Sequence, residues 1–245
     1  PLEGLTNNMF NLITDKNNFN NLTVLDAGCG SGRFLDRILN HKPKLVIAIE
    51  YSDSVDVAKK NIGNDVENIF FIQGDLLKIP LKDNIIDFII SIGVLHHTPK
   101  PHSCFLKIYD VLKSNGYFAL AVYRHGYYSL PSVKILRYVI NKLPKKIAFK
   151  FAYNYSIFCI DIIDKYFFSK SKFIRKYMRF FIPYIFYQDR DWSILDTFDS
   201  ITPKYQFTFS KKDMFNWFNS SLFYEVKETK WKSFIGRKIE TTKNI

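Results

Sequence analysis

Cysteine is scarce in this chain and is not spaced for a bond or a metal. Three occur in 245 residues, Cys29, Cys104 and Cys159, odd in number, far apart and without a CxxC or Cys/His spacing. Neither a disulfide framework nor a zinc site is implied, no metal is expected, and a reducing, cytoplasmic compartment fits best. Long apolar runs are also missing, because Asp161, Asp164 and Lys165 interrupt the most apolar stretch, so no membrane-spanning helix is expected. Pro1-Leu2-Glu3 carries no initiator methionine, apolar signal core or basic leader, which predicts a processed or trimmed N-terminus rather than a targeting segment. Two phosphate-binding signatures are absent as well, the G-x-G-x-x-G turn of dinucleotide enzymes and the G-x-x-x-x-G-K-[ST] loop of triphosphate enzymes.

Hydrophobic residues make up 47% of the chain and charged residues 24%, a globular balance that argues against disorder. The length suits one enzyme-sized unit, a domain with an elaboration. The net charge of +12 is unevenly placed, since Arg124 to Arg190 holds fourteen Lys or Arg against three Asp. That segment is also rich in Tyr and Phe, so it reads as an insertion with its own task.

The first half alternates strand and helix signals. Thr23 to Asp26 is a short apolar strand that runs into Gly28-Cys29-Gly30-Ser31-Gly32, where glycines permit a sharp turn and close backbone approach. A helix follows over Arg33 to Asn40, with Pro43 beyond it. Leu45 to Glu50 is a second strand, and Ser52 or Ser54 caps a helix reaching about Asn61 before Gly63. Asn68 to Gln73, Ile85 to Ile92 and Tyr117 to Tyr123 supply three more strands, the last preceded by a helix over His102 to Leu112. Near-continuous apolar strands are those buried on both faces of parallel sheets, so the pattern predicts an α/β fold with a doubly wound parallel sheet. Ser210 to Phe218 reads as a capped helix, because Ser210 stands three residues before Asp213. Strands near Tyr224 to Thr229 and Ser233 to Ile239 close the chain.

In such sheets a ligand sits at the carboxyl ends of the strands, beside the first. Asp26, Glu50 and Asp75 fall at three successive strand ends and should crowd one crevice. A carboxylate ending the second strand can accept both hydroxyls of a ribose, which makes Glu50 the sugar candidate, and Asp75 lies where an adenine amino group could donate to it. Cys29 reads as packing within the loop.

Val24-Leu25-Asp26-Ala27-Gly28-Cys29-Gly30-Ser31-Gly32-Arg33-Phe34 resembles the first motif of class I S-adenosylmethionine-dependent methyltransferases. Ser91-Ile92-Gly93-Val94-Leu95-His96-His97 is similar to the motif after the fourth strand in their small-molecule, type 11-like branch. The resemblance covers about Leu22 to Tyr123. It implies a Rossmann-like seven-stranded sheet with the last strand antiparallel, and S-adenosyl-L-methionine as methyl donor. It places Gly28, Gly30 and Gly32 under the amino acid part of the donor, Glu50 on the ribose, and Asp75 with Leu76 at the adenine. Asp26, Cys29, Arg33, Phe34, Tyr51, Ser91 and Gly93 complete the implied cofactor-binding set. That branch resembles enzymes of quinone, sterol and natural-product biosynthesis. The N/D-P-P-Y type motif of base-amino methyltransferases is replaced here by Ser91-Ile92-Gly93-Val94, which disfavours DNA bases.

Methyl transfer from a sulfonium is an in-line displacement that asks mainly for positioning and exclusion of water. If the acceptor needs a base, His96 and His97 follow the fourth strand directly. The expected organisation is a core over residues 1–123, a basic, aromatic-rich helical lid over 124–209, and a closing helix and two strands over 210–245. In the lid, Val133, Leu136, Arg137 and Ile140 have amphipathic helical spacing. Asp191, Trp192, Asp196 and Asp199 are expected in a loop, and Tyr123, Arg124, Trp192 and Tyr205 are the substrate-binding candidates. Three readings fit the basic segment: a solvated face, contact with an anionic or lipid-linked small-molecule acceptor at a membrane surface, and RNA binding. Nucleic acid is the less favoured partner. The other functional readings are an RNA or protein methyltransferase, a non-catalytic cofactor-binding subunit, and a nicotinamide oxidoreductase.

Overall fold

The structure, a computed structural model, describes residues 19–63, 65–168, 171, 177–178, 180–187, 189–229 and 233–240. The expected trimming at Pro1, and Lys170, Lys172, Arg175, Lys176 and Arg179 of the basic segment, lie outside them. The chain divides into two compact units, Pro1–Val122 with Phe209–Ile245, and Tyr123–Thr208.

In the first unit the described residues form a seven-stranded sheet. Its strands are β1 (Thr23–Ala27), β2 (Leu45–Glu50), β3 (Ile69–Gln73), β4 (Ile86–Ile92), β5 (Leu112–Ala121), β6 (Phe223–Glu228) and β7 (Phe234–Lys238). They lie in the order β3-β2-β1-β4-β5-β7-β6. β1 to β5 pair in parallel, and β7 runs antiparallel to both of its neighbours. The antiparallel closing strand implied by the family resemblance is therefore present.

Alternation along each strand sends side chains to opposite faces. Leu25, Ala27, Ile47, Ile49 and Ile89 enter one core with Phe105 and Phe118, against helices α3 (Pro101–Val111) and α7 (Lys211–Ser220). Val24, Val46, Ala48, Phe88 and Ile90 enter the other, against α1 (Leu35–Asn40) and α2 (Ser54–Ile62). The central strands are covered on both faces, which is why their sequences read as unbroken apolar runs. The expected capping box forms: Asp213 N–H donates to Ser210 Oγ at 3.1 Å, and Ser210 N–H donates to Asp213 Oδ2 at 2.7 Å.

β5 differs from expectation. It starts at Leu112, because Leu112 pairs with Ile86 ahead of a bulge in β5 itself, and it ends at Ala121. Asn115, at φ +63°, and Gly116 are absorbed within the strand, where a Cβ on Gly116 would lie 2.9 Å from Asp87 O.

The second unit contains α4 (Pro131–Ile140), α5 (Lys145–Phe158) running directly into a π-helix (Cys159–Phe168), and α6 (Arg190–Ile201). The loop expected around Asp191 to Asp199 is corrected: these residues form α6. Asp189 caps it by accepting the Trp192 N–H at 2.9 Å, and Ile194, Thr197 and Ile201 recur at helical spacing as its buried face. The density of acids had masked that period.

Candidate functional site

The carboxyl ends of β1, β2 and β4 meet because their registers align Ala27 with Ile49 and Asp26 with Ile90. Past β1 the chain turns so that the N–H groups of Gly28 and Cys29 both donate to Ile49 O, at 2.8 and 3.0 Å. Past β3, Gly74 N–H donates to Glu50 O at 2.9 Å, and past β4, Gly93 N–H donates to Ala121 O at 2.9 Å. Each strand end is thus tied to its neighbour by backbone.

The loop glycines have different reasons to be glycine. Gly28 sits at φ +96°, and a Cβ there would lie 2.3 Å from a Val94 methyl; Gly32, at φ +89°, would meet Ala58 at 3.3 Å. These two are fixed by protein packing. Gly30 and Gly93, also at positive φ, have open space where a Cβ would be, so backbone is exposed there to whatever occupies the crevice.

Three carboxylates line this region, each held differently. Glu50 Oε2 accepts the Gly30 N–H at 3.0 Å, while its Oε1 accepts the Ser52 N–H and hydroxyl at 2.9 and 2.8 Å. A carboxylate offers about four acceptor positions, so Glu50 is fixed yet retains capacity for a hydroxyl. Asp75 uses Oδ1 to accept the Leu77 N–H at 2.9 Å, capping a short turn that begins at the buried Leu76. Asp26 is only 2% exposed, and its Oδ2 has no hydrogen-bond partner. Burial, and then the charge of Glu50, push its carboxyl up to about 7. A buried acceptor of this kind calls for a donor, ideally a cationic one.

The remaining predicted residues divide by environment. The Cys29 thiol is buried and its pKa is pushed up by desolvation, then by Asp26 and Glu50, so it is a packing group and not a thiolate. The Ser91 hydroxyl is fully buried and donates to Ala27 O at 2.9 Å, a strut between β4 and β1. Phe34 belongs to the core around α1, Arg33 is exposed, and the Tyr51 ring is 75% exposed beside Glu50. His96 and His97 share a 3-10 turn with ring centroids 4.1 Å apart. His96 is fully enclosed, and burial followed by the neighbouring His97 lowers its pKa well below the usual imidazole range. His97 is half-buried.

In the second unit Tyr123 stacks on Tyr128 at 3.6 Å and 7°. Burial, then Asp199 and Asp196, raise the pKa of its phenol. Tyr187 donates to Asp196 Oδ2 at 2.7 Å, adding a member to this tyrosine and aspartate group that sequence reading did not single out. Its signal was indirect, since Tyr187 lies only nine residues before Asp196. Arg124 is half-buried. Trp192 lies in the first turn of α6, and Tyr205 is an exposed residue beneath Lys204 Nζ, 5.3 Å from the ring centroid. The structure joins Tyr123 to the Asp196 and Asp199 group.

A parallel sheet of this order, with a glycine turn after β1 and an acid at the tip of β2, defines a nucleoside-binding α/β domain. Residues 18–182 match the methyltransferase domain family, and the chain belongs to that family as a class I S-adenosylmethionine-dependent methyltransferase domain whose cofactor is S-adenosyl-L-methionine. It is 35% identical over 99 residues to an uncharacterized methyltransferase of Schizosaccharomyces pombe, a stretch covering 40% of this chain and 38% of that protein. It is 31% identical over 103 residues to cycloartenol-C-24-methyltransferase 1 of Oryza sativa subsp. japonica, covering 40% and 30%. It is 33% identical over 104 residues to a tRNA U34 carboxymethyltransferase of Shewanella loihica, covering 41% and 31%. The chain spans less than two-fifths of the length of these relatives. A solved SAM-dependent methyltransferase of Methanosarcina mazei shares the fold with a TM-score of 0.51 over 90% of this chain and 94% of that one, at 15% identity.

The residues present fit this cofactor. Glu50 can accept a ribose hydroxyl, the space over Gly30 admits a ligand against backbone, and the unsatisfied, buried Asp26 oxygen suits the cationic amino group of a methionine moiety. Among the described residues, no helix is long and apolar enough to cross a membrane.

Proposed function

We propose that this chain transfers a methyl group to an O, N or C nucleophile of a small, lipid-like acceptor in a biosynthetic reaction, in the cytoplasm. The observation that carries the reading is the fixed Glu50 carboxylate bridging the tip of β2 to Gly30, next to the unsatisfied Asp26. Bound cofactor supplies an electrophilic methyl on a sulfonium. Glu50 and Asp75 orient the nucleoside end, Asp26 accepts from the amino end, and Gly30 lets the backbone approach between them. This holds the methyl carbon in one place, where positioning carries most of the rate. His97, half-buried after β4, is the group available to take a proton from the acceptor. His96 is an enclosed neutral partner that orients it. Tyr123, with Asp196 and Asp199, is proposed to meet the acceptor, and residues 124–209 to act as its lid. Three free, buried cysteines suit a reducing compartment.

The test is calorimetric titration with S-adenosylmethionine and S-adenosylhomocysteine, comparing wild type with Glu50→Ala, followed by an acceptor screen with labelled donor. Micromolar binding lost in the variant supports the site. Absence of binding by folded wild type overturns it. A second reading, an RNA acceptor, is favoured by the fourteen basic residues between Arg124 and Arg190 and by the tRNA relative. It predicts salt-sensitive retention of RNA in filter binding.

A further inference from the structure

α5 has apolar residues on both sides, which a solvated helix does not need. At 100° per residue, Ala148, Ala152, Ser156 and Cys159 form one stripe. The last three are fully buried. The opposite arc is exposed yet carries large apolar side chains. Ile147, Phe151 and Phe158 form one row along it, 57%, 44% and 51% exposed, and Phe149 and Tyr153 form a second. Lys146 and Lys150 stand between the two rows, exposed. The apolar character continues outward along the π-helix with Ile162 and Tyr166.

α4 repeats the arrangement. Val133 and Ile140 are buried, whereas Ile135, Tyr138 and Val139 point outward with Lys134, and Lys142 Nζ lies 5.4 Å from the Tyr138 ring centroid. Negative charge is excluded from this stretch, since no Asp or Glu occurs between Arg124 and Ile160. The next two acids are withdrawn: Asp161 is bound by Arg190 at 2.6 Å, and Asp164 is buried, accepting the Tyr184 hydroxyl at 2.8 Å. Asp191, on α6, is also held by Arg190, at 3.0 Å.

From this juxtaposition we propose that the outer face of α4 and α5 docks on the surface of a bilayer containing anionic phospholipids. The apolar rows enter the headgroup and acyl boundary, while the lysines between them extend their stems along the rows and place their ammonium groups at phosphate. Branched aliphatic anchors such as Ile135, Val139 and Ile147 have no use in stacking on bases, which separates this surface from an RNA platform. The contact is peripheral, in keeping with the lack of a spanning helix among the described residues. It is read from the second unit alone and does not depend on the cofactor site, so it can fail or hold independently of methyl transfer.

The experiment is flotation of the purified full chain with vesicles of phosphatidylcholine alone or mixed with phosphatidylglycerol. Light scattering of the free protein and a competing single-stranded RNA complete it. Wild type is expected to float with the anionic vesicles and not with the neutral ones. The double variant Phe151→Ser/Phe158→Ser should bind on the order of a hundredfold more weakly. Lys146→Gln/Lys150→Gln should lose on the order of tenfold or more and its preference for anionic lipid. Unchanged S-adenosylmethionine affinity and melting temperature show that each variant is folded. Failure of folded wild type to float overturns the proposal, as does flotation insensitive to the Phe substitutions. RNA binding in place of flotation would assign the face to a polynucleotide, and a dimer dissolved by the same substitutions without flotation would assign it to a second copy; each overturns the proposal.

Discussion

Glu50 Oε2 accepts the Gly30 N–H at 3.0 Å, a bond that joins the tip of the second strand to the turn after the first. A ligand hydroxyl that meets Glu50 is thereby placed relative to the glycine turn, and the turn itself is held open at Gly30.

The open and closed glycines separate stability from binding. Gly28→Ala places a methyl 2.3 Å from Val94 at φ +96°, and overpacking plus the unfavourable dihedral should cost roughly 2–5 kcal/mol. Gly30→Ala meets no atom at φ +54°, so only the left-handed dihedral opposes it and it should cost roughly 1–2 kcal/mol, while cofactor affinity falls on the order of a hundredfold. Scanning fluorimetry and calorimetry on the two variants distinguish the cases. Normal binding by Gly30→Ala would show that nothing lies over that backbone.

Asp26 makes the apo protein pH-dependent in an unusual direction. Its carboxyl is raised from 3.8 to about 7 by burial and by Glu50. Between those values the native state therefore holds a proton that the unfolded chain has released, and stability falls as pH rises from about 4 to about 7. The full effect is on the order of 4 kcal/mol and should vanish in Asp26→Asn. A cationic amino group beside Asp26 reverses the preference, so cofactor binding near pH 6 should release a proton. Calorimetry in buffers of different ionisation enthalpy measures it. Zero proton release would remove Asp26 from contact with the cofactor.

Most of the first unit was legible because backbone and burial act in the same direction there. Leu45 to Glu50 was bounded correctly since every residue from Val46 to Ile49 is buried, leaving no polar position to blur the run. β5 was cut short because Ser114-Asn115-Gly116 carries turn chemistry, and only pairing of Leu112 with Ile86 overrides it. α6 was mistaken for a loop because Asp191, Asp196 and Asp199 hide an apolar face that becomes visible only in three dimensions. At the site, the spacing pointed to Glu50, Asp75 and the glycines as candidates. It could not show that Gly28 and Gly32 are filled by Val94 and Ala58, or that the Ser91 hydroxyl is spent on Ala27, because those facts depend on contacts between distant segments.

The two histidines should respond differently to removal. His96 is enclosed, and its imidazole is neutral because burial, then His97, lowers its pKa. His96→Ala leaves a void and should cost roughly 2–4 kcal/mol. The lowered value also means that the wild type loses stability as pH falls below about 6.5, where the unfolded imidazole takes up a proton first. His97→Ala should leave melting temperature and cofactor affinity nearly unchanged while turnover drops on the order of a hundredfold. Melting curves and single-turnover rates with the acceptor found by screening test the pair. Full turnover by His97→Ala would remove the general base from the mechanism.

Lys238, at the end of β7, is 4% exposed, and its ammonium donates to Asn84 Oδ1 at 3.2 Å, Tyr109 O at 3.0 Å and Leu112 O at 2.6 Å. It also lies 4.1 Å from the Tyr109 ring centroid, so one cation satisfies the carboxyl end of α3 and the start of β5 together. Lys238→Met preserves the stem but strands those acceptors, and should cost roughly 2–4 kcal/mol in denaturant titrations at neutral pH. Burial lowers the lysine pKa from 10.5, so in the window below that value the unfolded chain binds the proton more tightly than the native state. Wild-type stability should therefore rise with pH through that window, and the gap to the Met variant should widen. A gap that stays constant with pH would show that the ammonium gains from its three acceptors as much as burial takes away.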